Sequence, residues 1–369
     1  MKLFKVILLY PISLIYGLVV NIRNTLFDLN IFKSEEFEIP VISVGNITVG
    51  GTGKTPTTEY IIRLLQDNYK LAILSRGYKR KTKGFILASQ DSSVETIGDE
   101  PYQVQKKFPD ITVAVDEKRV RGIKKIQELK KDIDVIILDD AFQHRSVKPG
   151  FSILLIDYTQ PFFEDSFLPY GRLRDSPKEK HRANIILVTK APRDIKPIEM
   201  RIMATNLELR AYQSLHFSSL MYSQLLPIFN NSITSIEIES LIKGKYTVLL
   251  ITGIGNFKPV LEYCNNTVSE LIHLPFKDHH KYTKKDIQLI SEKYRSISAE
   301  NKLILTTEKD AGKIRNIQFD DDEIKSKLFY CPIEFTILNN EKEEIDKQII
   351  NYVKKDKSQY RFITTKRQY

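Results

Sequence analysis

A run of mostly apolar residues, Pro40-Val-Ile-Ser-Val44, leads into Thr48-Val-Gly-Gly-Thr-Gly-Lys-Thr55, and an amphipathic segment follows from about Pro56 to Asp67. Strand, glycine-rich turn and helix in that order constrain the fold more than any other feature of the chain. Such a turn binds phosphate only where backbone N–H groups converge in front of a helix N-terminus. Gly50, Gly51 and Gly53 allow that convergence, with Thr48, Val49 and Thr52 completing the loop backbone. Lys54 neutralises the terminal phosphates and Thr55 can ligate Mg²⁺. Position 48, five before Gly53, is threonine where the usual pattern has glycine. Pro56 is tolerated because the first helical turn has no intrahelical N–H bond to lose.

The pattern then repeats strand by strand. Leu71–Leu74, Ile111–Val115, Asp134–Leu138, Ser152–Ile156 and Asn184–Val188 are short apolar runs rich in β-branched residues, with a charged helix at 117–131. Runs of this kind, separated by helices, describe a parallel sheet buried on both faces. The fold class is α/β, a doubly wound, mainly parallel sheet of the P-loop NTPase type. The pattern restarts at Tyr246–Ile251, before Thr252-Gly-Ile-Gly255, and at Lys302–Thr306, before Thr307-Glu-Lys-Asp310. Three parts are expected: an N-terminal helix over 1–24, the P-loop domain over 25–228, and a smaller α/β domain over 229–369.

Charge and cysteine usage exclude some classes. Fifty-six Lys and Arg against 46 Asp and Glu leave a net charge of +10, which attracts anionic partners without choosing among them. No aromatic–basic signature of nucleic-acid binding accompanies it, so nucleic acid is not an expected partner. The two cysteines, Cys264 and Cys331, sit in no CxxC pair, against a thiol–zinc site or a disulfide framework. The segment Leu3–Val20 is apolar apart from Lys5, is interrupted by Pro11, and has no small-residue cleavage site after it. We read it as a monotopic helix lying in a bilayer interface, with Lys2, Lys5 and Arg23 near lipid phosphates. A single span and a buried packing helix are the alternatives.

Four further clusters carry chemistry. Asp134-Val-Ile-Ile-Leu-Asp-Asp140 is a strand ending in paired carboxylates, the shape of a Walker-B strand, where one can hold a metal and the other orient a ligand. Gly98-Asp-Glu-Pro101 sets carboxylates in a tight turn, and a phosphoryl acceptor hydroxyl needs such a base. Asp278-His-His280 can orient that base or bind metal. Gly171-Arg-Leu-Arg174 can grip an anion through guanidinium forks. Singly, each of the last three reads as readily as a surface turn.

Together, GNITVGGTGKTP (45–56), LSRGYKR (74–80), GDEP (98–101), DEKRVRG (116–122), ILDDAFQHR (137–145), LPYGRLRDSP (168–177), VTK (188–190) and DHH (278–280) resemble the tetraacyldisaccharide 4′-kinase family of lipid A biosynthesis. The resemblance runs from about residue 1 to 310, and Thr48 is normal for that family. It implies an ATP- and Mg²⁺-dependent kinase that phosphorylates the 4′-hydroxyl of an acylated glucosamine disaccharide 1-phosphate lipid. It also implies work at the cytoplasmic face of the bacterial inner membrane, and a monomer is favoured. By motif, Lys54 and Thr55 act on ATP and Mg²⁺, Asp139 and Asp140 form the metal-side pair with Gln143 close by, and Asp99 is the base, assisted by His279. Arg119, Arg172 and Arg174 hold phosphates of nucleotide or lipid. The family's Arg-Glu is Arg174-Asp175 here, a departure at that point. The rival reading is a membrane-associated regulatory or transport P-loop NTPase, which would hydrolyse ATP without an acceptor lipid.

Overall fold

The computed structural model describes residues 2–366 except 164, 223, 230–234, 256, 279, 316 and 318–320. The chain divides into two compact units, one of residues 1–220 with 335–369 and the other of residues 221–334.

The first unit opens with helix α1 (Lys2–Asp28), then β1 (Val41–Gly45), α2 (Lys54–Leu65), β2 (Leu71–Ser75), β3 (Ile86–Leu87) and α3 (Val94–Ile97). It continues through α4 (Asp99–Lys107), β4 (Thr112–Val115), α5 (Arg119–Leu129), β5 (Val135–Asp139), β6 (Phe151–Asp157), β7 (Ile185–Thr189), α6 (Pro197–Leu207) and β8 (Ser214–Tyr222). The second unit holds β9 (Leu226–Pro227), α7 (Ile238–Lys243), β10 (Thr247–Thr252), α8 (Lys258–Asn265), β11 (Glu270–Pro275), α9 (Lys284–Arg295), β12 (Lys302–Thr307), α10 (Glu308–Ile314), α11 (Asp322–Lys327) and β13 (Leu328–Cys331). Strand β14 (Ile333–Ile337) and helix α12 (Lys342–Lys366) follow.

The larger sheet has the order β14-β8-β7-β6-β1-β5-β2-β4-β3. From β8 to β4 every pairing is parallel, and short β3 runs antiparallel to β4. Strand β1 lies between β5 and β6, so the glycine-rich turn and the Asp139–Asp140 pair leave the same edge of the sheet side by side. Both faces are covered, as the apolar runs require. Ile61, Ile62 and Leu65 of α2 pack on one face, and Ile123 and Ile126 of α5 on the other. The smaller sheet, β11-β10-β12-β13-β9, is parallel except for β9.

Two expectations change. The smaller unit ends at Glu334 rather than at residue 369, because β14 joins the larger sheet and Ile345, Ile349 and Val353 of α12 bury against α2 and the sheet. Truncating one such fully buried isoleucine to alanine costs about 2–5 kcal/mol, which is ample reason for the chain to return. The N-terminal helix runs to Asp28 rather than residue 24. Among the described residues no helix is long and apolar enough to cross a membrane.

Candidate active site

The turn after β1 is built from outside itself. The segment 171–174 runs along it: Thr48 bridges Leu173 antiparallel, Val49 N–H donates to the Arg172 carbonyl (2.8 Å), and Arg174 N–H donates to the Ile47 carbonyl (2.9 Å). From the other side the Thr189 hydroxyl donates to the Thr52 carbonyl at 2.9 Å. Gly50 (φ +118°) and Gly53 (φ +80°) take left-handed conformations, and a Cβ placed at Gly50 or Gly51 would meet no protein atom within 4 Å. The loop therefore encloses open space of the kind a phosphate chain fills, at the start of α2, where Lys54 and Thr55 form the first turn.

Asp140 faces this turn. Its backbone is left-handed (φ +46°), a strained setting for a non-glycine residue at the end of a strand. Lys54 Nζ lies 3.9 Å from Asp140 Oδ1, and the Arg174 guanidinium donates to both Asp140 oxygens, one bond measuring 3.0 Å. Burial would raise the Asp140 pKa, but the Arg174 hydrogen bonds and the Lys54 charge overcome it and hold the carboxyl at about 2. Asp139 behaves in the opposite way. Burial, reinforced by Glu100 and Asp140, lifts it to about 7 against the pull of Lys54 and Arg119, and its Oδ1 is buried with no hydrogen-bond partner. Adjacent carboxylates driven apart in this way are the pattern that singles out candidate functional pairs.

That orphaned oxygen tests the metal. A Mg²⁺ ion bound with nucleotide phosphates needs only one or two protein oxygens, and Asp139 Oδ1 with the Thr55 hydroxyl supplies hard oxygen donors of that kind. Asp140 is the poorer ligand, since Arg174 occupies both its oxygens. Among the described residues no group of three or more His, Cys, Asp or Glu is disposed to hold a metal on its own.

The arginines separate by role. Arg174 sits at the site and also donates to the Asn46 carbonyl (3.2 Å) and side-chain oxygen. Gln143 Nε2 donates to that same carbonyl at 2.7 Å. Arg172 is half-exposed, paired with Asp165 (2.7 Å) and donating to Gln160. Arg119 is 0% exposed, and its guanidinium donates to the carbonyls of Asp116 (2.5 Å) and Asp139 (3.2 Å). Burial lowers its pKa to about 10 despite Asp139 and Asp140 nearby. In this structure Arg119 is tied through these two carbonyls to the backbone just after β4 and at the end of β5.

Asp99 and Glu100 begin α4, and the turn before them is tight. Gly98 has φ +94°, and a Cβ there would stand 3.0 Å from the Tyr78 carbonyl oxygen. The RGYKR loop is thus pressed onto GDEP, and Arg80, nearly fully buried, is held by Glu117 and the Gly84 carbonyl. Sequence reading singled out neither Asn46, which gathers Arg174 and Gln143, nor Glu100, which bears on Asp139. Both lie inside quoted motifs, but nothing in their spacing gives them a role. In the second unit, Asp278 and His280 follow β11, and His280 stacks on Phe276 (4.7 Å) and pairs with Asp286 (3.1 Å). His279 lies outside the described residues.

A doubly wound sheet with a phosphate loop at β1, a carboxylate pair at β5 and a further acidic turn at α4 defines a P-loop phosphotransferase. The family model described as tetraacyldisaccharide-1-P 4′-kinase (LpxK) matches residues 5–354. The chain is 47% identical over 354 residues to the tetraacyldisaccharide 4′-kinase of Bacteroides thetaiotaomicron, covering 94% of this chain and 93% of that one. It is 42% identical to that of Flavobacterium johnsoniae, covering 95% and 97%. The crystal structure of LpxK from Aquifex aeolicus in complex with ATP superposes with a TM-score of 0.70 at 29% identity, over 93% of this chain and 98% of that one. The chain belongs to the tetraacyldisaccharide 4′-kinase family, the lipid kinases of lipid A biosynthesis.

Proposed function

We propose that this kinase transfers the γ-phosphoryl group of ATP to the 4′-hydroxyl of a tetraacylated glucosamine disaccharide 1-phosphate, giving lipid IVA. The observation that carries the site assignment is Lys54 facing Asp140 across an open glycine loop, with a second, orphaned carboxylate oxygen beside it. Lys54 and the loop N–H groups hold the phosphates as charge shifts toward the leaving oxygen. Asp99 accepts the proton of the 4′-hydroxyl as that oxygen bonds to phosphorus and the bond to ADP breaks; His279 assists it. Asp140 fixes Arg174 and Lys54 in place. Thr55 and Asp139 would hold Mg²⁺, which when bound spreads the phosphate charge. Arg172, the most exposed of the three arginines, would meet a lipid phosphate by exchanging its contacts with Asp165 and Gln160.

The enzyme works as a peripheral or monotopic protein on the cytoplasmic face of the inner membrane. A four-chain lipid leaves a bilayer only at about 0.8 kcal/mol per CH₂, so the enzyme goes to it. Leu8, Ile12, Ile15, Val19 and Ile22 of α1 are each about half exposed or more and suit burial among acyl chains. Labelled ATP, Mg²⁺ and the disaccharide 1-phosphate in detergent micelles test the reading: label appears in the lipid, and ATP turnover stops when the lipid is omitted. Turnover indifferent to lipid would favour the regulatory NTPase instead. Ile15→Lys with Val19→Lys should abolish flotation with anionic liposomes while leaving the unfolding temperature within a few degrees of wild type.

A further inference from the structure

Helix α1 has a second face, and it is bonded to the nucleotide side of the molecule. Asn24, 4% exposed, donates through Nδ2 to Asp175 Oδ1 at 2.7 Å, and Asp175 is 0% exposed. The Tyr16 hydroxyl donates to the Arg174 carbonyl at 3.2 Å, the Ser13 hydroxyl to the Phe167 carbonyl, and Arg23 to the Gln143 carbonyl. A Cβ at Gly17 would lie 2.5 Å from the Phe167 ring, so the helix backbone is as close there as packing permits. From the opposite direction Arg145 donates to the Asn24 carbonyl (3.0 Å) and pairs with Asp28.

Apart from Phe167, which is itself bridged to Leu173, these partners belong to the two segments that build the site. Residues 171–175 run along the phosphate loop, and Arg174 grips Asp140; residues 142–145 follow the carboxylate pair, and Gln143 holds Asn46. A hydrogen bond between two buried polar side chains fixes position far more firmly than apolar contact, because leaving either group unpaired carries the full desolvation penalty. An attachment helix has no need of such a bond. We infer that α1 is part of the phosphoryl-transfer site as well as the membrane contact, with Asn24 a positioning residue that acts through Asp175 to seat Arg174 on Asp140.

The inference rests on the reading of Lys54 and Asp140 as the nucleotide-phosphate site, and the test separates the two. In the full-length protein, Asn24→Asp sets two carboxylates against each other, and Asp175→Asn removes the acceptor charge. The double variant Asn24→Asp/Asp175→Asn restores one donor and one acceptor with their roles exchanged. Measured with lipid in detergent micelles, where attachment is not required, Asn24→Asp should lower kcat roughly 10–100-fold, the scale of a small misplacement of positioning groups. It should also weaken MgATP binding several-fold and leave liposome flotation unchanged. The double variant should recover most of the loss. Wild-type kcat and MgATP affinity in Asn24→Asp overturns the inference, as does a loss that the double variant does not recover while it unfolds at the wild-type temperature. A loss seen on liposomes but absent in micelles overturns it too, leaving α1 an attachment alone. If instead Lys54→Ala keeps MgATP affinity and turnover, the site reading itself fails and the inference falls with it.

Discussion

The two units use the same sequence syntax and make opposite things of it. In the first, β1 runs into Thr-Val-Gly-Gly-Thr-Gly-Lys-Thr and then α2; in the second, β10 runs into Thr252-Gly-Ile-Gly255 and then α8. Gly50 and Gly51 border open space. Gly253 is walled in: a Cβ there would stand 3.0 Å from both Asp310 Oδ1 and the Tyr282 hydroxyl, and its N–H donates to Asp310 Oδ2 at 2.8 Å. Each unit also carries an aspartate close after or at the end of a strand, Asp139 closing β5 and Asp310 in the first turn of α10, yet Asp139 keeps an unpartnered oxygen, whereas Asp310 accepts from Gly253 and from the Thr307 hydroxyl (2.8 Å) and lies beside Lys313. Glycines after a strand therefore make a binding loop only where the surrounding groups leave room and charge unspent. Where a neighbouring carboxylate takes up the N–H groups, they make a packed joint.

The contrast can be broken at its strongest point first. Lys54→Ala should reduce phosphoryl transfer by about 10³-fold or more, since it removes charge stabilisation of the transferring group. Circular dichroism and thermal unfolding should match wild type, because Lys54 faces the open loop. Near-normal turnover would mean that the first unit's loop is as inert as the second's. Next, Asp99→Ala should lower kcat by about 10²–10⁴-fold with little change in the affinity for ATP, as loss of a base does. His279→Ala run beside it shows whether the second unit supplies chemistry: a loss that does not add to that of Asp99→Ala ties the two residues to one step, and unchanged kcat would confine the chemistry to the first unit.

Smaller effects sharpen the comparison. Gly253→Ala should cost about 1–3 kcal/mol by overpacking, read as a lowered unfolding temperature, whereas Gly51→Ala should leave that temperature alone and weaken MgATP binding. The reverse pattern would refute the assignment of one loop as pocket and the other as joint. Asp139 gives the last test. Its folded pKa of about 7 lies above the ordinary value of 3.8. A carboxyl raised on folding contributes stability while protonated and loses it as pH rises through that folded value. Asp139→Asn should thus stabilise the Mg²⁺-free protein at about pH 8, and the gain should shrink steadily toward about pH 4.5. A gain that does not change with pH would mean that Asp139 titrates normally.

Some of this was legible before any coordinates. Six strands of the larger sheet were plain as β-branched apolar runs, because a strand buried on both faces has little choice of residue. The more polar strands were not. Ser214–Tyr222, Glu270–Pro275 and Ile333–Ile337 mix polar and apolar residues, and the pairing that makes them strands is supplied from elsewhere in the chain. The loop at 48–55 was legible since phosphate binding by backbone N–H groups demands glycines at fixed offsets. Asn46 and Asp175 were not, as a polar side chain acquires a role only from the partner it meets, and Asp175 meets Asn24 across 151 positions of sequence.

The sequence by itself determined the class of fold, the phosphate loop, the carboxylate pair and an apolar first helix, each written in local pattern. Tertiary structure alone decided that α12 returns to the first unit, that Arg119 bonds the backbone at the end of β5 while Arg174 grips the Asp140 carboxylate, and that Asp139 and Asp140 ionise so differently. These depend on burial and on the distance between groups far apart in the chain, which no local pattern records.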